Sequence, residues 1–186
     1  MSGYPREELE AMVDKWLEAN RIAEESGDWR SMVDCYADDA HYGWNYGPEV
    51  DFMANGKDEI RDWAIGLEMD GLAGWTYPYE SLIIDEKKGM FIGLWRQVAD
   101  VKRDDGSDYD IAGIGGSWFK YAGNMQWAWQ RDWFDLGNAA SLFIELMGKD
   151  QLSEGMTQRM NRRLGPPTPG HYRRGESPRP IWPEDR

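Results

Sequence analysis

The chain has 186 residues, 21 Lys and Arg against 34 Asp and Glu, and a formal net charge of -13. That length suits one well-buried domain and one site. The acidity excludes a nucleic-acid surface, which must neutralise phosphates with clustered cations. A single cysteine, Cys35, excludes an intramolecular disulfide and a cysteine-based zinc site, and two histidines, His41 and His171, are too few for a histidine-rich metal centre. No cofactor is therefore expected. No stretch approaches the roughly 18 apolar residues of a membrane span, and Met1 to Glu10 has no signal core, so a cytoplasmic protein is expected.

From the N-terminus, Pro5 with Glu7 and Glu8 opens a helix in which Leu9, Met12, Val13, Trp16 and Leu17 share one face. Gly27-Asp28 ends it and caps a second helix carrying Trp29, Val33 and Tyr36. Residues 40–46 read as a short strand. Asn55-Gly56 opens a third helix with Ile60, Trp63, Ala64 and Leu67 on its buried stripe.

After Gly74 the pattern changes to strands at Tyr77–Asp85, Gly89–Val101, Tyr109–Tyr121 and Met125–Phe134, joined by short polar turns as an antiparallel meander. Gly113, Gly115 and Gly116 would allow the bend or bulge that curls such a sheet. Asn138 caps a helix through Met147, and Ser153 one through Leu164. From Gly165 the tail holds six of the nine prolines, which predicts an extended segment without helix or interior strand. Its Tyr172 and Trp182 suggest an arm docked on a neighbouring subunit rather than a solvated tail.

The expected architecture is α+β: a cone-shaped, curved antiparallel sheet against three N-terminal helices over residues 1–148, a C-terminal helix over 149–164 and a Pro/Arg-rich tail over 165–186. Eleven tryptophans and nine tyrosines offer walls for a planar, hydrophobic ligand as well as core.

Strand alternation puts Asp132 on a face with Ala128, Gln130 and Phe134, opposite Trp127, Trp129, Arg131 and Trp133. A carboxyl among aromatic rings is desolvated, which could make it a general acid near neutral pH; an Asp paired for structure with Arg131 or Arg96 is the alternative. Arg96, Val98 and Asp100 share a parity, so a guanidinium and a carboxylate could face one cavity; a solvated ion pair is the alternative. Tyr42, Trp44 and Tyr46 form one aromatic wall and Trp118 another, while His41 points away from Tyr42 in a regular strand.

The segments Gly27-Asp28-Trp29, Tyr36-Ala37-Asp38-Asp39-Ala40 and Gly56-Lys57-Asp58-Glu59-Ile60 resemble the first half of nuclear transport factor 2-like (SnoaL-like) proteins. Gln130-Arg131-Asp132-Trp133-Phe134-Asp135-Leu136 resembles the last strand of limonene epoxide hydrolases in that superfamily. The resemblance implies an acid at Asp132, an arginine near Arg96 and a water-holding tyrosine at Tyr42; it departs at Val98, where the arginine's carboxylate partner would lie, and at Trp44, where an asparagine would lie. It also implies a homodimer packed through the convex sheet face, where Trp127 or Trp129 is expected.

Together these features predict a cofactor-independent lyase acting on a hydrophobic, oxygenated aromatic molecule by dehydration or by formaldehyde-releasing C–C cleavage. Such lyases of lignin-derived compounds occur in the superfamily. Asp132, Arg96, Asp100 and Tyr42 are the catalytic candidates, and Trp44, Tyr46, Trp118 and His41 the substrate-binding ones. An epoxide hydrolase and a non-catalytic binding protein are the alternatives.

Overall fold

In the computed structural model, which describes residues 3–163 and 168–184, the N-terminal amphipathic stripe forms α1 (Arg6–Ser26). Its buried face carries Leu9, Met12, Val13 and Trp16. Gly27, at φ 70°, closes it in the left-handed conformation that glycine adopts without steric cost. The expected second helix is a 3-10 turn, Trp29–Cys35, started by the Asp28 side chain accepting from the Arg30 N–H. Tyr36 already belongs to β1 (Tyr36–Asn45), so that strand begins earlier than the sequence suggests.

A strand that the sequence reading leaves unassigned follows, β2 (Val50–Asn55). Phe52, Met53 and Ala54 are all fully buried, so both faces of β2 are covered and the alternation of a half-exposed strand is absent. The third helix is short. It consists of α2 (Lys57–Glu59), a π turn over Ile60–Ala64 and a 3-10 turn over Leu67–Met69 that carries a buried Glu68.

The sheet continues as β3 (Tyr79–Asp85), β4 (Met90–Trp95), β7 (Gly115–Gly123) and β8 (Gln126–Trp133). Between β4 and β7 the chain leaves the sheet as a separate hairpin, β5 (Val98–Lys102) and β6 (Asp108–Asp110). The two long predicted strands are thus each broken, at residues 96–97 and 111–114. With a last strand β9 (His171–Arg173), the seven-stranded order is β3-β4-β7-β8-β1-β2-β9, antiparallel except where β1 lies parallel to β8.

Gly115 and Gly116 work differently from expectation. A Cβ on Gly115 would lie 2.3 Å from the Trp95 ring, and one on Gly116 2.1 Å from the Trp133 ring. They make room for an indole on each face of the sheet. Register shifts fall instead beyond Lys120. There Tyr121 pairs with Trp127 while Lys120 pairs with Trp129, a bulge that turns Trp127 into the core beside Phe91, Phe119 and Tyr121. Of the two tryptophans expected outside, only Trp129 takes the outer face.

Two C-terminal helices, α3 (Leu136–Gly148) and α4 (Glu154–Arg163), pack with the β5–β6 hairpin around Leu72, Trp75, Tyr109, Leu142 and Met156. The cap of α3 is Asp135, whose side chain accepts from the Asn138 N–H, rather than Asn138 itself. The last residue of the expected final helix, Leu164, and the tail's Gly165-Pro166-Pro167 lie outside the described residues.

Beyond them the tail docks on its own chain. It adds β9 (His171–Arg173) to the edge of β2 and reaches the outer face of β8, where buried Arg131 donates to the Pro180 and Ile181 carbonyls at 2.9 Å each. An edge strand is compatible with prolines that an interior strand excludes. No helix among the described residues is long and apolar enough to cross a membrane.

Candidate active site

The inner face of the sheet, α1, the 3-10 turns and α4 enclose a cavity of about 230 Å³. Its walls are largely aromatic and sulfur-bearing, with Trp16, Trp29, Trp44, Met32, Met69 and Phe134 among them. β1 and β8 place the polar end. Their parallel register sets Tyr42 beside Gln130 and Trp44 beside Asp132, and β7 sets Ser117 opposite Asp132.

Asp132 lines the cavity and is held by hydrogen bonds to both oxygens. The Tyr42 hydroxyl donates to Oδ2, and Gln130 Nε2 donates to Oδ1 at 2.8 Å. Gln130 is in turn fixed by the Tyr36 hydroxyl, which donates to Oε1. Ser117 accepts from Trp95 Nε1 at 2.9 Å, and Tyr79 accepts from Trp16 Nε1 at 2.8 Å.

Burial raises the Asp132 carboxyl above the usual carboxylate range, against the opposing pull of hydrogen bonds from Ser117, Tyr42 and Gln130 and of the Arg131 charge. Burial, reinforced by the Asp132 charge, raises the Tyr42 hydroxyl well above an ordinary tyrosine, so it remains a proton-bearing donor. Tyr79 is raised as well, with burial the largest cause. The result is one carboxyl that holds its proton more tightly than an ordinary aspartate, ringed by neutral donors.

The other sequence candidates separate. Trp44 and Tyr46 line the cavity with Tyr42. Trp44 stacks on Phe52 at 3.9 Å between ring centroids, and its buried indole N–H has no protein acceptor among the described residues. Arg96 lies outside the cavity lining: the chain turns there between β4 and β5, and the side chain is exposed, 2.7 Å from Asp110. Its neighbour Gln97 faces the cavity and donates to the Tyr77 hydroxyl at 3.0 Å.

Asp100 is exposed on the β5–β6 hairpin, because leaving the sheet breaks the continuous parity that would have joined it to Arg96. Trp118 and His41 are on the outer face. Trp118 meets Trp129 edge-on at 4.8 Å, and His41 Nδ1 lies 2.8 Å from Arg131 Nη2.

A second polar group carries no motif in the sequence. Glu68 and Arg159 both line the cavity, 3.1 Å apart, and His171 Nε2 lies 3.8 Å from the other Glu68 oxygen. The signal available was Glu68 itself, a charge flanked by Leu67 and Met69. Among the described residues no cluster of three or more His, Cys, Asp or Glu side chains could hold a metal ion.

The same chain path is also found in solved structures. PrhC from Penicillium brasilianum matches 82% of this chain and 96% of its own, at 16% identity and a TM-score of 0.57. An NTF2-like protein from Anabaena variabilis matches 73% and 95%, at 14% identity and a TM-score of 0.53. The chain has the nuclear transport factor 2-like fold.

A further structure of this fold, a candidate SnoaL-like polyketide cyclase from Shewanella putrefaciens, covers 74% of the chain and 86% of its own, at 12% identity and a TM-score of 0.54. No protein-family model matches the sequence, and a search of curated proteins finds no significant match. In the nuclear transport factor 2-like cone described here, Asp132, Tyr42 and Gln130 stand on the concave face, and the helices after β8 complete the cover.

Proposed function

We propose that the chain is an enzyme that works without a cofactor, a lyase by reaction class, moving protons on a small hydrophobic oxygenated molecule through Asp132. The observation that carries this reading is the carboxyl itself: desolvated, fixed at both oxygens and open to an aromatic cavity. The occurrence of a candidate polyketide cyclase on the same fold supports small-molecule chemistry in such a cavity.

One carboxyl can serve both halves of an elimination. As carboxylate, Asp132 takes a proton from carbon beside a carbonyl, leaving an enolate. As carboxylic acid, it gives that proton to the β-hydroxyl, the C–O bond breaks, water leaves and the carbon–carbon double bond of the enone forms. In formaldehyde loss, Asp132 takes the proton of a hydroxymethyl O–H, the C–C bond breaks, and the acid then protonates the carbanion. Neither route needs an oxidant or a second substrate. With Arg96 outside the cavity, developing negative charge would be met by the neutral donors near Asp132, the Tyr42 and Tyr79 hydroxyls among them.

The test is turnover of a panel of aryl β-hydroxyketones, hydroxymethyl diaryl compounds and aryl epoxides in ¹⁸O-labelled water. Enone or formaldehyde formation that Asp132→Asn lowers at least a hundredfold is the expected result. Label appearing in a diol would instead identify an epoxide hydrolase, and full turnover by Asp132→Asn would end the assignment.

A further inference from the structure

We propose that Arg159 determines specificity by receiving a carboxylate of the small molecule whose reacting centre lies at Asp132, so that the cavity takes an aryl-bearing carboxylic acid. This rests on the acid–base reading of Asp132 for the direction in which the molecule lies, although the binding claim is tested separately.

Arg159 comes from α4 and lines the cavity together with Glu68. The side chains are 15% and 5% exposed, and Nη2 lies 3.1 Å from Oε2. Burying such a pair in an otherwise apolar wall is costly, and apolar side chains of similar volume would serve stability as well or better. Docking of α4 has other supports. The backbones of Gly71 and Gly155 are in close contact, Ser153 Oγ donates to the Gly71 carbonyl at 3.0 Å, Met156 is buried, and Arg162 donates to the Leu67 carbonyl at 3.2 Å.

A guanidinium has five N–H donors. Among the described residues Arg159 uses its donors on Glu68 alone. His171 stands near the other oxygen of Glu68, so that carboxylate is shared. A ligand carboxylate would find planar, two-point hydrogen bonding at Arg159.

Charge then sorts the ends of the molecule. Among the described residues the hydrogen bonds to Asp132 come from neutral side chains, Tyr42 and Gln130, and its ionised form would repel an anion. Burial raises the Tyr77 hydroxyl, with the Arg159 charge opposing and Asp132 adding to the rise, so both charges act on one residue of the cavity wall. The cavity, about 230 Å³ and lined mostly by aromatic and apolar side chains, suits one aromatic ring with a short carboxylate chain.

The experiment titrates the full chain with 3-phenylpropanoate and with 3-phenylpropan-1-ol, followed by tryptophan fluorescence and calorimetry. The acid is expected to bind at least tenfold more tightly than the alcohol, and Arg159→Met to remove that preference. Arg159→Lys, which keeps a charge but not the planar fork, is expected to reduce it at least threefold and decides the matter if the methionine variant does not melt cooperatively.

Equal affinities, no binding of the acid at millimolar concentration, or an unchanged preference in the folded variants would overturn the proposal. Asp132→Asn is expected to retain the preference for the acid. Loss of the lyase reading therefore leaves the binding result standing, and the reverse also holds.

Discussion

The Tyr42 hydroxyl donates to Oδ2 of Asp132 from the neighbouring parallel strand, although 90 residues separate the two. This contact joins the first strand of the sheet to the last long one at the point where the cavity turns polar. It also sets the protonation of the carboxyl, because a donor favours the charged form that burial opposes.

Asp132→Asn is accordingly expected to abolish turnover while raising thermal stability at neutral pH. Burial raises the folded-state pKa above the unfolded one, so the protonated carboxyl is favoured by folding. That contribution is fully present below the unfolded pKa and is lost as pH rises through the folded pKa. An amide carries no such loss. Each kcal/mol recovered would raise Tm by roughly 2–4 °C in a chain of this size. Calorimetry at acidic and neutral pH checks the sign: the gain should shrink toward acid, and a gain that grows there would contradict the raised pKa.

Tyr42→Phe removes one of the donors that favour the carboxylate, so the Asp132 pKa should rise further. The acidic limb of the pH–rate profile should move to higher pH and the maximal rate fall by roughly 100-fold, the lower end of the scale for a positioned proton-transfer group. The fold should survive, since a hydrogen bond to a charged group contributes about 1.5–3 kcal/mol. A lower rate with an unmoved limb would mean that Tyr42 touches substrate without tuning Asp132.

Arg96→Met and Asp100→Asn should each change turnover by less than about twofold. Arg96 pairs with Asp110 at an exposed surface where an ion pair contributes about 0–1 kcal/mol, and Asp100 is exposed on the hairpin. A large loss of rate in Arg96→Met, without a change in Tm, would bring the arginine back to the reaction.

Much of the concave face is legible in the chain. Alternation in β8 sets Asp132 and Gln130 together, and alternation in β1 sets Tyr42 with Trp44, because both runs are regular strands at those positions. Arg96 and Asp100 go astray because parity holds only while a strand continues, and the chain turns at Arg96-Gln97 where nothing local, neither glycine nor proline, marks the break. β2 escapes for the opposite reason. Its residues are buried on both sides, so the period of two has no polar half. The tail's place on its own sheet depends on Arg131, 49 residues from Pro180, which no local pattern in the tail reveals.

That clasp has a measurable consequence. Arg131 is buried and donates to the carbonyls of His41, Gln130, Pro180 and Ile181, so Arg131→Ala would leave several acceptors without their donor. Limited proteolysis should then cut within residues 174–184 well before the rest of the chain, with Tm lowered by several degrees. Equal protease resistance in the variant would show that β9 alone holds the tail.

Gly71→Val tests whether α4 must seat fully for the cavity to close. Gly71 sits at φ 84°, a conformation that a β-branched residue strongly resists, and a Cβ there would lie 2.3 Å from the Met156 backbone nitrogen. Neither partner is a flexible side-chain tip, so the first turn of α4 must move away from the Gly71 loop. Displacing it also strains the Ser153 bond to the Gly71 carbonyl and the Arg159 bond to Glu68, which lie on the same contact. The expected outcome is a loss of about 2–4 kcal/mol, combining backbone strain with partial exposure of Met156. Hydrogen exchange should report it locally, with faster exchange in Glu154–Arg163 and in Leu67–Met69 while β7 and β8 stay protected. If α4 exchanges faster yet 3-phenylpropanoate binds as in the parent chain, the helix is not the cover of the cavity.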